Sequence, residues 1–383
     1  MKKVAILTKY YKNYNYGGML QGYALYKTIE QLGFECDIIS YDVWKNPNPV
    51  YKNVLQQCKQ YGIRAALEKV VEKAISKQGY KIKNIVDERK QLFNDFMVQT
   101  GANTREYDDS NLNELNDVYD FFVSGSDQIW NPNAVRNLYL QGFVTDDTKK
   151  IAYAASIGRD KFSEYEANIL VPFISKFNHL GIREKTGANL LKKYIDNDIT
   201  TVLDPTMLLS SEDWNEISSN RIVDDPYALF YFFADSYETR CKVEKFCKKK
   251  SLKLVLIPYT KQEFNYGDSK GECIRLDKVG PNEFLSAIKY ADYIFTDSFH
   301  GSVFSIIYNK EFAVFERNKK GHVSMNSRLY DLLNTYGLSD RLISDYEALD
   351  SLDSIDYKVV KEVLTKKKKE SVDFLINALH KAS

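Results

Sequence analysis

Along most of this chain, short apolar runs alternate with stretches whose apolar residues recur at helical spacing. Residues 4–8 form an apolar, partly β-branched run, and a polar, tyrosine-rich loop then leads to Gly17-Gly18. Leu20, Ala24, Leu25, Ile29 and Leu32 follow on one helix face, and Gly33 supplies the stop. Residues 36–40 read as the next strand. Strand, glycine turn, helix, strand is a βαβ unit, whose right-handed crossover makes the two strands parallel. The rhythm resumes with strands at 118–123 and 151–155, a helix over 163–177, a strand at 179–182, a helix over 185–194 and a strand at 201–203 that ends in Asp204-Pro205. It repeats as a strand at 227–234, a helix over 236–249, a strand at 253–257, a helix opened by Gly280-Pro281, and strands at 293–296 and 312–315 flanking a short helix over 303–308. Such alternation predicts an α/β protein whose parallel sheets are covered on both faces.

Two segments break the rhythm. Residues 44–112 open with Pro47 and Pro49 and then carry helix-spaced Val54, Ile63, Leu67, Val70, Val71, Ile75, Leu92 and Phe96. They read as a helical insertion on the first domain, more as a packing layer than as a lid or dimer contact. At the other end, Val360, Val363, Leu364, Val372, Leu375 and Leu379 share one face of a helix over 357–379. That stripe is too long to leave in water, so the helix is expected to strap both domains. The linker-like Ser211-Glu212-Asp213 and Asp224-Asp225-Pro226 place a boundary within 210–225. The expected division is 1–215, with an insertion at about 45–112, then 216–350, then a C-terminal helix in 351–383.

Composition narrows the class. A length of 383 residues suits two domains. The 53 Lys and Arg nearly cancel the 52 Asp and Glu, so no overall field recruits nucleic acid. Cys36, Cys58, Cys241, Cys247 and Cys273 form no C-x-x-C pair, which argues for reduced thiols rather than disulfides or zinc. The apolar run after Lys2-Lys3 ends at Lys9, short for a signal-peptide core, and no run approaches the roughly 18 residues of a membrane span. A soluble, cytoplasmic protein is expected. The 28 Tyr and 21 Phe suit both a core and a sugar-stacking cleft. The Lys366–Lys369 run reads as a solvated helix face.

In open α/β sheets ligands bind beyond the carboxyl ends of the strands, so polar residues directly after a strand carry the candidate chemistry. Asn15-Tyr16-Gly17-Gly18 opens a helix, where free N–H groups favour an anion or polar oxygen. Ser124-Gly125-Ser126-Asp127 follows an apolar strand, and Asp127 could take the proton of a hydroxyl nucleophile. Arg183-Glu184 is either a structural pair or an anion clamp. Thr296-Asp297-Ser298-Phe299-His300-Gly301-Ser302 is the strongest cluster. Of four histidines, His300 alone sits at a strand-to-helix turn beside glycine and is the best general acid or base. His179 looks structural, while His322 and His380 lie in a polar loop and near the terminus. Ser298, Gly301 and Ser302 offer donors for an oxyanion or phosphate, and Arg328, at another helix start, a planar fork for one. No H-E-x-x-H, Cys/His cluster or strand-end D-x-D appears, so no metal is expected.

Read together, these blocks resemble the polysaccharide pyruvyl transferase family. The resemblance is carried by Asn15-Tyr16-Gly17-Gly18-Met19-Leu20-Gln21-Gly22-Tyr23-Ala24-Leu25, Phe122-Val123-Ser124-Gly125-Ser126-Asp127-Gln128-Ile129-Trp130 and Tyr153-Ala154-Ala155-Ser156-Ile157-Gly158. It continues through Arg183-Glu184, Val202-Leu203-Asp204-Pro205-Thr206 and Thr296-Asp297-Ser298-Phe299-His300-Gly301. It implies two Rossmann-like domains facing across a cleft, similar to the GT-B glycosyltransferases, with the first domain on the acceptor side and the second on the donor side. It also implies transfer of a pyruvyl group from phosphoenolpyruvate, a co-substrate in the absence of any cofactor, to two hydroxyls of a sugar as a cyclic ketal. The acceptor would be a cell-surface polysaccharide, an exopolysaccharide or capsule, or a lipid-linked oligosaccharide precursor, through which the protein would meet the membrane periphery.

On this reading His300 is the acid/base and Asp127 the acceptor-side base. Ser298, Gly301, Ser302, Arg328 and Arg183 hold the donor, and Asn15, Tyr16, Gly17, Gly18, Ser126 and Trp130 the acceptor. One position departs: where many members carry arginine two residues before the histidine, this chain has Ser298, so Arg328 is the expected replacement cation. The rival readings are a nucleotide-sugar glycosyltransferase, with Asp297 or Glu316 on the ribose, and a non-catalytic glycan- or anion-binding protein.

Overall fold

A computed structural model describes residues 2–43, 45–50, 80–101, 105–233, 237–258, 273–317, 326–343, 349 and 352–380. The strands, in chain order, are β1 (Lys3–Leu7), β2 (Glu35–Ile38), β3 (Ser40–Tyr41), β4 (Glu106–Tyr107), β5 (Phe121–Ser124), β6 (Lys150–Ala155), β7 (His179–Ile182), β8 (Ile199–Thr201), β9 (Tyr227–Tyr231), β10 (Lys253–Leu256), β11 (Cys273–Arg275), β12 (Tyr293–Thr296), β13 (Glu311–Phe315) and β14 (Leu342–Ile343). Apolar runs buried on both faces force helical cover on each side, and every pairing is parallel. One six-stranded sheet runs β2-β1-β5-β6-β7-β8 and the other β11-β10-β9-β12-β13-β14. The second has the Rossmann order, three strands on each side of its switch point; the first has two strands on one side and four on the other. In each, strand order reverses at one point: between β1 and β5, where Leu7 pairs with Ser124, and between β9 and β12, where Tyr231 pairs with Thr296. The first sheet thus presents the segments after Leu7 and Ser124 at its switch point, and the second those after Tyr231 and Thr296.

Apolar packing runs continuously from one half into the other. The helix Tyr16–Gln31 starts by stacking Tyr16 on Phe284 at 4.4 Å between ring centroids, and the Tyr16 hydroxyl donates to the Val279 carbonyl at 3.0 Å. Trp214, fully buried, bridges Tyr23 at 5.8 Å and Phe304 at 5.0 Å. The segment Ser211-Glu212-Asp213 is therefore no linker. Ser210 caps the helix Ser211–Ile217, Asp213 bonds back to the cap, and the polar letters are a capping box.

The helix Tyr80–Gln99 is what the described residues show of the insertion; Val54, Ile63, Leu67, Val70, Val71 and Ile75 lie outside them. It is a packing layer that touches both halves. Phe93 and Phe96 are buried, Phe93 against Tyr16 at 5.1 Å, while Arg89 donates to the Asp277 carbonyl at 2.9 Å and Leu92 meets Gly280. The C-terminal helix Tyr357–His380 straps the molecule as expected. The Tyr357 hydroxyl donates to the Ser305 carbonyl at 3.3 Å in the second half; Ser371 accepts from the Leu203 amide at 2.9 Å in the first, where Phe374 covers Gly181. Among the described residues no helix is long and apolar enough to cross a membrane.

Candidate active site

Chain segments from the carboxyl ends of β1, β5, β7, β8, β12 and β13 converge between the two sheets. After β5 the chain turns through Gly125, at φ 145, where a Cβ would lie 1.7 Å from the Tyr153 carbonyl oxygen; only glycine fits. The turn presents Ser126 inward and Asp127 outward. Ser126 is wholly buried; its amide donates to Gln21 at 2.8 Å and its hydroxyl to Asp204 at 2.9 Å. Asp127 keeps 20% of its side chain in solvent.

Asp204, just past β8, is the hub. Its Oδ1 accepts from the Thr206 amide at 3.1 Å and hydroxyl at 2.7 Å; its Oδ2 takes Ser126, the Arg183 Nη1 at 2.8 Å and the His300 Nε2 at 3.6 Å. Arg183 follows β7 and lies 3.8 Å from both Asp127 and Glu184, with its guanidinium 4.3 Å above the Phe299 ring. The same ring meets Arg328 at 5.7 Å. With the Gln128 amide oxygen turned toward it, Arg328 donates from Nε and Nη2, each at 3.2 Å. Lys9, directly after β1, donates to the Gln128 carbonyl at 2.7 Å. His300 rests on the helix start of the first half: a Cβ on Gly17 would sit 2.0 Å from its Nδ1.

The electrostatics separate these groups. Burial would raise Asp127, but Lys9, Arg183, His300 and Arg328 outweigh it and hold it down at about 2. Asp204, wholly buried, is likewise driven well below the usual carboxylate range by His300 and Arg183. The two arginines move in opposite directions. Burial acts against Arg183, yet Asp204, Asp127 and Glu184 more than compensate and push it up. Burial and the neighbouring Arg183 charge push Arg328 down, to about 9. Arg183 is thus rich in counter-charge, and Arg328 is charged at neutral pH but short of it.

His300, Asp127, Arg183, Arg328 and Gly17 are therefore brought together, whereas several expected site residues have other work. Ser298 is the N-cap of the helix Phe299–Ile307, and its hydroxyl accepts from the Gly301 amide at 3.2 Å; the Ser302 amide and hydroxyl both donate to the Ser298 carbonyl at 3.0 Å. These bonds occupy the Gly301 amide and both Ser302 donors in closing the helix start, while the Ser298 hydroxyl only accepts in them and keeps its own proton for a ligand. The helix also begins four residues before 303, because that cap accommodates Gly301. Trp130 is wholly buried, donating to the Tyr139 carbonyl at 3.1 Å, and belongs to the core. Ser126 braces Asp204, Tyr16 joins the halves, and Asn15 spends its side chain on the Gly18 amide at 3.0 Å. Glu184 ties down the Ile157 and Gly158 amides, each at 2.9 Å.

Asp204, Lys9 and Gln128 were not singled out from the sequence. Asp204 did carry a signal, since it directly follows a strand, but Pro205 made it look like a turn residue. His179 begins β7 edge-on to Phe374 at 6.4 Å, and His380 packs on Phe34 at 5.3 Å, both structural; His322 lies outside the described residues.

The profile of the family described as polysaccharide pyruvyl transferase matches residues 15–319, which takes in every strand-end segment of the cluster except Lys9 and Arg328. The chain belongs to this family. Membership makes it a transferase of polysaccharide biosynthesis. Among solved structures it is similar to UDP-GlcNAc 2-epimerase from Neisseria meningitidis bound to UDP-GlcNAc, at TM-score 0.54 and 8% identity over 100% of both chains. It is also similar to S. aureus MnaA with UDP, at TM-score 0.55 and 11% identity over 99% of this chain and 96% of that one. The UDP-GlcNAc 2-epimerase of Methanocaldococcus jannaschii gives TM-score 0.50 and 15% identity over 99% of each chain. At such identities the likeness is one of fold, the two-domain GT-B arrangement. No curated protein matches.

Proposed function

We propose that this pyruvyl transferase moves the pyruvyl group of phosphoenolpyruvate onto two hydroxyls of one sugar unit in a cell-surface polysaccharide or its precursor. The observation that carries the reading is Arg328: a buried guanidinium short of counter-charge, facing the same Phe299 ring as Arg183. Phosphoenolpyruvate brings a carboxylate and a phosphate, the anions a forked cation binds best. In the reaction His300 gives a proton to the methylene carbon, which leaves C2 electron-poor. One sugar hydroxyl adds to C2 and passes its proton to Asp127, on the solvent side of the cluster. Phosphate leaves with the C2–O bonding pair, the second hydroxyl adds in its place, and its proton follows the phosphate. The product is a ketal with a methyl and a carboxylate on one carbon.

The charge pattern supports that order. In the free protein Asp127 is too weak a base to accept a hydroxyl proton readily, because the surrounding cations hold it ionised. A donor anion set against Arg328 and Arg183 offsets those cations, so Asp127 becomes a stronger base once the donor is in place. Acceptor activation then waits for the donor.

Calorimetric titration tests the reading. Phosphoenolpyruvate should bind while UDP- and GDP-sugars do not. Tight binding of a nucleotide sugar with no response to phosphoenolpyruvate makes the protein a glycosyltransferase instead.

A further inference from the structure

His300 is held from both sides by the first half of the molecule. On one side Nε2 faces the Asp204 Oδ2 at 3.6 Å; it is buried and makes no hydrogen bond. On the other, Nδ1 looks onto the backbone of Gly17, where the space a Cβ would need overlaps the nitrogen. Asp204 cannot turn away. Its second oxygen is fixed by the Thr206 amide and hydroxyl, and the first is shared with Ser126 and Arg183. A carboxylate locked in this way and held ionised offers only an acceptor to the imidazole.

We propose that Asp204 is the positioning residue of the proton-transfer step, fixing His300 as the Nε2–H tautomer so that Nδ1, on the Gly17 side, is the atom that exchanges the proton with the donor's methylene carbon. This rests on the reading of His300 as the acid given above, and adds which nitrogen acts and what aims it. The imidazolium formed between turnovers carries its positive charge against the Asp204 carboxylate, so the acid is loaded where it is needed. The Gly17-Gly18 pair gains a role from the same geometry. Glycine at 17 lets the imidazole close onto the helix start, where any Cβ would collide with Nδ1 and push the ring off Asp204. Arg183 shares the Asp204 Oδ2 with His300, so the carboxylate that aims the acid also orients a cation of the anion site. A single group sets both.

Nitrogen-15 NMR of the free protein reads the tautomer directly. The chain has only four histidines, and His300→Asn identifies the resonance. The expected result is Nε2–H for His300 in the neutral ring, with a mixture or the other tautomer in Asp204→Asn. Asp204→Asn should also lower kcat by about 10²–10⁴-fold. Because that variant also strips Arg183 of its closest partner, Thr206→Val serves beside it, removing one bond that locks the carboxylate while leaving its charge and Arg183 in place. It should lower kcat several-fold with KM for phosphoenolpyruvate unchanged. An Nδ1–H ring in the wild type, or an Asp204→Asn protein with wild-type tautomer and kcat, overturns the proposal. If the wild type shows the Nε2–H ring but never consumes phosphoenolpyruvate, the functional reading falls while the positioning by Asp204 stands.

Discussion

Gly17→Ala isolates the contact on which the two halves meet at the site. A methyl group there would lie 2.0 Å from the His300 Nδ1, 2.4 Å from Cγ and 2.6 Å from Cε1, all well inside van der Waals distance. The helix cannot retreat, because the preceding Tyr16 is stacked on Phe284 and bonded to the Val279 carbonyl. The ring must therefore move off Asp204. Overpacking of this kind costs about 1–3 kcal/mol, against which alanine in place of helical glycine returns up to about 1 kcal/mol. In a His300→Ala background the collision is gone and only the helix gain remains, so Gly17→Ala should stabilise that protein. Urea unfolding of the four proteins in this cycle gives the coupling directly, and about 1–3 kcal/mol is expected. Displacing a reacting group by about 1 Å can cost about 10²-fold in rate, so kcat should fall by that order with the fold intact. A coupling near zero, or Gly17→Ala with full activity, would refute the packing of His300 against this helix start.

Arg328→Lys keeps a charge but loses the fork that meets Gln128 and matches an anion, so the Kd for phosphoenolpyruvate should rise roughly tenfold or more with little change in unfolding midpoint; calorimetry checks it, and an unchanged Kd removes Arg328 from the site. Burial and the Arg183 charge disfavour the Arg328 cation, but a guanidinium stays protonated throughout the accessible pH range, so donor affinity should not fall between pH 7.5 and 9.5; calorimetry at both pH values checks it, and a tenfold loss contradicts it. Leu375 is wholly buried under the C-terminal strap, and Leu375→Ala should cost about 2–5 kcal/mol in urea unfolding. A cost below about 1 kcal/mol would mean the strap contributes little.

Two parallel α/β halves were legible because their strands are short apolar runs buried on both faces, separated by helices with clear glycine or proline punctuation. The second half of the site was legible too: His300 and Arg328 stand out as rare or forked residues at helix starts. What misled was polar chemistry with two uses. Ser298, Gly301 and Ser302 look like anion donors in one dimension, but the cap they form consumes the Gly301 amide and both Ser302 donors and leaves the Ser298 hydroxyl proton alone. Ser211-Glu212-Asp213 looks like a linker for the same reason, although it is a capping box. Asp204 lay hidden because its role depends on β8 bringing it beside β5, β7 and a helix some hundred residues away, and proximity across a sheet leaves no mark in local spacing. Gly17 was noticed as a turn glycine, while the ring it accommodates belongs to the other half of the chain.

The central claim is most directly tested by incubating the protein with phosphoenolpyruvate and a panel of polyhydroxylated sugar acceptors, and following phosphate release together with the mass of the acceptor. The account predicts one phosphate released for each pyruvyl ketal formed, and a rate about 10²–10⁴-fold lower in His300→Asn with donor affinity changed far less. Phosphoenolpyruvate left intact with every acceptor, or a His300→Asn protein that turns over at the wild-type rate, would contradict it.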